Sequence, residues 1–171
     1  RVTGRHRHRF IHNMTTCEIN NLKEGQGGFG LAVDRGGKIV AQFIVHCEPE
    51  ALVLEVKSDR VDALQAHLQS FIVADRVVFE RIEDPTVLCV VGPESVALVA
   101  SACGCELASF EPFSVHSIAE SGVVFCVRKN PLRAAVPAVD IVCLGGSESR
   151  VKALLQTAGV GEVSIEGYEA H

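Results

Sequence analysis

Apolar residues recur along this chain in two periods, and the alternation between the periods marks out its elements. Residues 27–33, 38–46 and 51–57 read as three strands, the first two joined by a turn at Asp34-Arg35-Gly36-Gly37. In the third, Leu52, Leu54 and Val56 share one face by period two, while Val53, Glu55 and Lys57 share the other. That predicts one core face and one more polar face. From Asp59 to Ile72 the period changes: Val61, Leu64, Leu68, Phe71 and Ile72 form a helical stripe, with Asp59 as N-cap. A short helix over 5–14 precedes these elements, and a strand over 76–82 closes the half. Beyond Pro85 the pattern predicts strands over 86–91, 114–118, 123–128 and 139–144. It also predicts a helix over 93–103 with Pro93 in its first turn, and a helix over 148–158 stopped by Gly159. Strand pairs interrupted by single helices predict an α+β fold with a mostly antiparallel sheet and helices on one face, in halves of about 1–84 and 85–171.

The 171 residues are 47% hydrophobic with a mean hydropathy of +0.24, enough apolar material for a core without disulfide or metal staples. No apolar run approaches the roughly 20 residues that cross a bilayer. Sixteen basic against 21 acidic residues give a net charge of −5, which argues against a polyanion-binding surface, and one Tyr with no Trp argues against a stacking platform for single strands. Neither a nucleic acid nor a membrane is therefore expected as a partner. Seven Cys without a C-x-x-C pair predict buried, reduced thiols and a cytoplasmic protein. The basic opening RVTGRHRHRF lacks the apolar core of a secretory signal, so flanking segments of a longer protein are expected.

The chemical motifs read as structural. Gly25-Gln26-Gly27-Gly28-Phe29-Gly30 satisfies G-x-G-x-x-G, but a phosphate-binding loop follows a strand and opens a helix, whereas these glycines precede a strand. Turn geometry and close backbone approach are the expected use. His6, His8 and His12 have no Cys or carboxylate at zinc-site spacing and predict a solvated basic helix start, with no metal. Cys103-Gly104-Cys105 follows a helix instead of opening one, so nothing there lowers a thiol pKa. Glu80, Glu83 and Asp84 read as a solvated strand edge.

A resemblance adds a function to this reading. Residues 10–19, FIHNMTTCEI, resemble the F-L-x-x-x-x-T-N-D-V segment of the folate-binding domain of the glycine-cleavage T-protein (aminomethyltransferase) family and its YgfZ-type relatives. Leu22-Lys23-Glu24-Gly25 is similar to that family's L-x-x-G, and residues 36–45, GGKIVAQFIV, resemble its G-G-x-I-x-D-D-L-x-V strand. Val91-Gly92-Pro93-Glu94-Ser95 resembles its x-G-P-x-A turn. Ala158-Gly159-Val160 with Gly167-Tyr168-Glu169-Ala170 resembles its A-G-x-x-x-x-G-x-x-A segment, so the likeness runs over nearly the whole chain.

The resemblance implies a tetrahydrofolate-binding domain of ferredoxin-like βαβ units, over residues 1–171, with a C-terminal domain of the same protein following and one-carbon metabolism as its setting. It implies folate or a related small molecule as ligand, and candidate folate-binding residues Gln42, Ile44, His46, Val56 and Lys57. The departures matter. Gln42 stands where the transferases carry their catalytic Asp, and a neutral amide can hydrogen-bond a pterin but cannot stabilise a cation or carry a proton, so no catalytic residue is assigned. Strand alternation puts Gln42, Ile44 and His46 on one face, and no neighbouring carboxylate is expected there. Lys57 replaces the family's Asn. The G-Y-T-G-E-x-G-Y-E-I segment survives only as Asp140-Ile141, and the K-G-C-Y-x-G-Q-E signature of YgfZ-type proteins is missing. The expected function is thus a folate-binding domain divergent in chemistry. An active tetrahydrofolate-dependent aminomethyltransferase and an iron–sulfur assembly or repair module, which would add a protein partner, stand as the alternatives.

Overall fold

The structure, a computed structural model, describes residues 1–83, 85–120, 123–133 and 135–163, and the side chains of all of these except 119, 120, 123 and 124. The chain forms two compact units: Arg1–Glu83 with Glu111–His116, and the described residues of Asp84–Phe110 and Ser117–His171. The fold is α+β, and every strand pair whose register is described is antiparallel.

In the first unit the order is β1 (Val2–Thr3), α1 (Arg7–Met14), β2 (Gly27–Val33), β3 (Ile39–Cys47), β4 (Leu52–Val56), α2 (Val61–Gln69) and β5 (Val78–Phe79), and the sheet runs β2-β3-β4-β1-β5. Placing β1 between β4 and β5 makes this a ferredoxin-like βαββαβ arrangement with β2 added at one edge. The second unit has β6 (Thr86–Val91), α3 (Ser95–Cys103), β7 (His116–Glu120), β8 (Val123–Lys129), β9 (Ala138–Cys143) and α4 (Glu148–Thr157), in the order β6-β9-β8-β7. Its strands repeat the order of β1 to β4, with a helix after the first strand and another after the fourth.

Period two sorts each sheet into a helix-facing and a helix-free side. Ala41, Phe43, Val45 and Cys47 of β3 are buried with Phe10 and Ile11 of α1, Leu64 and Leu68 of α2 and Leu52 of β4. Leu54 and Val56 pack against the same cluster, as their periodicity predicts. Burial of side chains the size of Leu64 and Leu68 is worth about 1.5–3 kcal/mol each, which is what holds so short a helix. In the second unit Phe125, Val127, Val139, Ile141 and Cys143 are buried against Val99 of α3 and Val151 and Leu155 of α4.

Three predicted elements are corrected. The helix expected from Asp59 to Ile72 is a 3₁₀ turn over Ser58–Arg60 followed by α2, so Arg60 is at the N-cap and Asp59 pairs with the Arg60 side chain at 3.6 Å. It stops after Gln69, where the Ser70 hydroxyl donates to the His67 carbonyl at 2.6 Å, and Phe71 and Ile72 reach the core from a turn. The strand expected over 76–82 shrinks to Val78–Phe79 because its partner β1 has two residues, and because the Arg76 amide donates to His6 Nδ1 at 3.0 Å. The helix expected from Pro93 begins at Ser95. The boundary residue Asp84 and the segment from Gly167 to Ala170 lie outside the described residues.

Candidate functional site

The glycine run is used for close approach, not for a ligand phosphate. A Cβ on Gly27 would lie 2.2 Å from the Phe113 carbonyl oxygen, and one on Gly30 would lie 2.7 Å from Cys17 Cβ and from the Phe43 ring. The segment Glu111–His116 is fastened along this edge of the first unit, with the Val115 amide donating to the Gly25 carbonyl at 2.7 Å. Phe113 itself has φ of 65°, the left-handed region that a bulky side chain rarely occupies.

Residue Gln42 is exposed, Ile44 is half-buried and His46 is buried, all on the helix-free side of β3 as alternation predicts. Register sets their neighbours: Gln42 lies opposite Leu31, Ile44 between Phe29 and Glu55, and His46 between Gly27 and Val53. The expectation that no carboxylate shares this face is therefore overturned. Glu55, half-buried, stands directly across from Ile44 and diagonal to Gln42. Lys57 is exposed just beyond the end of β4, while Val56 pairs with Phe43 and packs against the core on the opposite side. The structure thus brings Gln42, Ile44 and His46 together and sets Val56 apart from them.

At 7% exposure His46 is buried, yet its Nδ1 has no hydrogen-bond partner, while its Nε2 is 3.8 Å from Glu48 Oε1. The Glu48 carboxyl is held below the usual glutamate range, first by the His46 contact and then by Arg1, which together outweigh its partial burial. A buried imidazole nitrogen with no partner costs free energy. Beside it the Phe29 and Ile44 side chains supply apolar area, and Gln42 supplies an amide that both donates and accepts.

The histidines expected to be a solvated helix start are instead engaged. His6 Nδ1 accepts from the Arg76 amide, His12 Nδ1 is 3.4 Å from Glu18 Oε1, and His8 Nε2 is 3.4 Å from Cys47 Sγ. Burial pushes the His8 imidazole down and the Cys47 thiol up, so this pair is neutral and lacks the thiolate of a nucleophile. Among the described residues no three His, Cys, Asp or Glu side chains group to hold a metal ion.

Sequence reasoning missed a polar cluster in the second unit. Asp140, fully buried on the helix-free side of β9, accepts from Arg128 at 2.9 Å, Asn130 at 2.6 Å and Arg133 at 2.9 Å. Burial pushes its carboxyl up, but the bonds from Asn130 and Arg133 and the Arg128 charge outweigh this and hold it below the usual range. An acid within the apolar run Ala138–Cys143 is the one signal that could have found it. Opposite Asp140 on β6 lies Cys89, an exposed residue where a buried thiol was expected. Packing against the sheet first, then the Asp140 charge and hydrogen bond, push that thiol up to about 11.

No family model matches this chain, and no curated protein matches it. Among solved structures it is similar to the glycine cleavage system aminomethyltransferase T from Bartonella henselae, with a TM-score of 0.76 and 16% identity over 90% of this chain. The chain has the fold of that aminomethyltransferase. It spans 41% of the other chain's length. At such low identity the likeness concerns backbone architecture, and the side chains on the helix-free face must be read for themselves. No helix among the described residues is long and apolar enough to cross a membrane.

Proposed function

We propose that this chain is a tetrahydrofolate-binding domain of an aminomethyltransferase-like protein whose chemistry has diverged from aminomethyl transfer. The reading rests on one observation: the helix-free face of β2–β4 gathers Gln42, Ile44 and a buried His46 whose Nδ1 lacks a partner, in a chain with the fold of an aminomethyltransferase T. A reduced pterin offers what this face lacks, a flat ring for Phe29 and Ile44 and a polar edge for the amide. Gln42 would hydrogen-bond the ring, and Lys57 would reach the anionic tail of a folate. Val56 would act only by shaping the strand that carries its neighbours.

Divergence follows from Gln42. A carboxylate beside a developing cation in a partly dry site supplies about 100- to 1000-fold in rate, which an amide at that position cannot reproduce. The protein is read as cytoplasmic, as part of a longer chain, and as taking a small molecule and no nucleic acid as its ligand. Calorimetric titration of the intact protein with 5-formyl-tetrahydrofolate tests the binding, with saturable heat expected. A turnover assay tests the divergence: aminomethyl transfer at the rate of an active transferase would overturn it.

A further inference from the structure

We propose that the first unit carries a second ligand site, a cleft between the end of α1, the β2–β3 turn and the end of α2. It takes a compact oxyanion, carboxylate or phosphate, borne on a single apolar ring. The cleft shares no lining residue with the face of Gln42, Ile44 and His46, so it goes beyond the folate reading and does not depend on it. Its volume is about 280 Å³, room for one ring and its head group. Met14 and Phe71, which also pack against the core cluster, line it with apolar surface.

Internal bonds fix the walls. The Thr15 hydroxyl donates to the Ile11 carbonyl at 2.7 Å, and the Thr16 hydroxyl accepts from the Leu31 amide at 2.9 Å, which ties the end of α1 to β2. In the turn, Asp34 Oδ1 accepts from the Gly36 and Lys38 amides at 2.8 and 2.9 Å. That carboxylate is spent on its own turn, and it holds in place the backbone that carries Arg35.

Three polar side chains of the lining are left over. Among the described residues no hydrogen bond or ion pair engages the Asn13 amide, the Arg35 guanidinium or the ring nitrogens of His67. By contrast Arg1, Arg9 and Arg81 pair with acids, and His6, His8, His12 and His46 each meet a polar partner. All three unengaged groups can donate, and the planar fork of Arg35 carries a permanent charge that matches a carboxylate or a phosphate. An exposed cation alone holds such an anion weakly, because water competes for both. The apolar ring supplies the rest of the binding by covering Met14 and Phe71. The His67 ring meets Phe71 edge-on, with centroids 5.1 Å apart, and forms an aromatic wall for it.

The test titrates the intact protein with benzoate, phenyl phosphate and benzylamine, followed by NMR shifts of assigned resonances. At least one of the two anions is expected to bind at least tenfold more tightly than the amine, which has the same ring and the opposite charge; the tighter anion names the head group. The shifts are expected at Asn13, Arg35 and His67, and not at Gln42 or Ile44. Arg35→Gln is expected to weaken the anion at least fivefold. Arg60→Gln, which removes the same charge from a residue outside the cleft, is expected to change it less than twofold. Affinity for both anions no greater than for the amine, shifts confined to the Gln42 face, or an Arg35→Gln variant that binds like wild type would each overturn the site. Should Arg35→Gln fail to fold, the wild-type comparison of anion with amine decides alone. None of these outcomes bears on 5-formyl-tetrahydrofolate binding, which is titrated separately.

Discussion

The two units repeat one strand order, and they treat the helix-free side of the sheet in opposite ways. In the second unit the carboxylate on that side, Asp140 of β9, faces Arg128 across the ladder and is also held by Asn130 and Arg133, all around a fully buried acid. In the first unit the carboxylate on the topologically matching strand, Glu55 of β4, faces Ile44, and the neighbouring His46 is buried with one nitrogen unpartnered. One face sets its carboxylate among bases and an amide. The other sets its carboxylate opposite an apolar residue, beside a buried imidazole.

The largest expected effect breaks the sealed face. Asp140→Asn leaves Arg128, 1% exposed, without its counter-charge, and should cost about 3–5 kcal/mol, read as earlier urea unfolding and loss of hydrogen-exchange protection in β8 and β9 ahead of β3. A loss under about 1 kcal/mol would mean that the cluster does not hold this unit. Acid should act in the same direction. Because the folded carboxyl sits below its ordinary value of 3.8, its stabilisation is complete above that pH and is lost as pH falls through the lower folded value. The acid sensitivity should disappear from β9 protection in Asp140→Asn.

On the helix-facing sides the units should behave alike. Leu68→Ala on α2 and Leu155→Ala on α4 each empty a buried site and should each cost about 2–5 kcal/mol by urea denaturation. A loss near 0.5 kcal/mol for one and not the other would show that the repeat is topological only. The smallest effect concerns Cys89. With its thiol pushed from 9.0 up to about 11, the thiolate fraction at neutral pH is roughly 100-fold lower than for an ordinary cysteine, and alkylation should be correspondingly slow despite the exposure of the residue. Asp140→Asn removes the negative charge that contributes to this, so iodoacetamide labelling of Cys89 should accelerate.

Much of the fold is legible in the chain. The strands over Gly27–Val33 and Thr86–Val91 begin and end where turn residues meet apolar runs, and Leu64, Leu68, Ala41, Phe43 and Val45 fall on the core side by local period alone. The elements that differ do so through partners distant in sequence. β5 is cut short by a two-residue β1, and Arg76 is turned aside by His6, 70 positions away. His8 meets Cys47 for the same reason, 39 positions along the chain.

The candidate site divides in the same way. Which side of β3 carries Gln42, Ile44 and His46 follows from a period of two, a property of each strand taken by itself. Which residues of β2 and β4 join them depends on register. A slip of one position would send Glu55 opposite a core residue of β3 and remove the only carboxylate of the β3–β4 ladder from this face. Hydrophobic burial on the helix-facing side sets that register, through Phe43 with Val56 and Cys47 with Leu52, and the polar side follows from it. Likewise, the sequence shows an acid in the apolar strand β9 and a base in β8, but only the ladder that sets Arg128 opposite Asp140 makes them one buried cluster. Local chemistry determines what each strand can offer. The pairing of strands, driven by the core on the other side of the sheet, decides which of those offers meet.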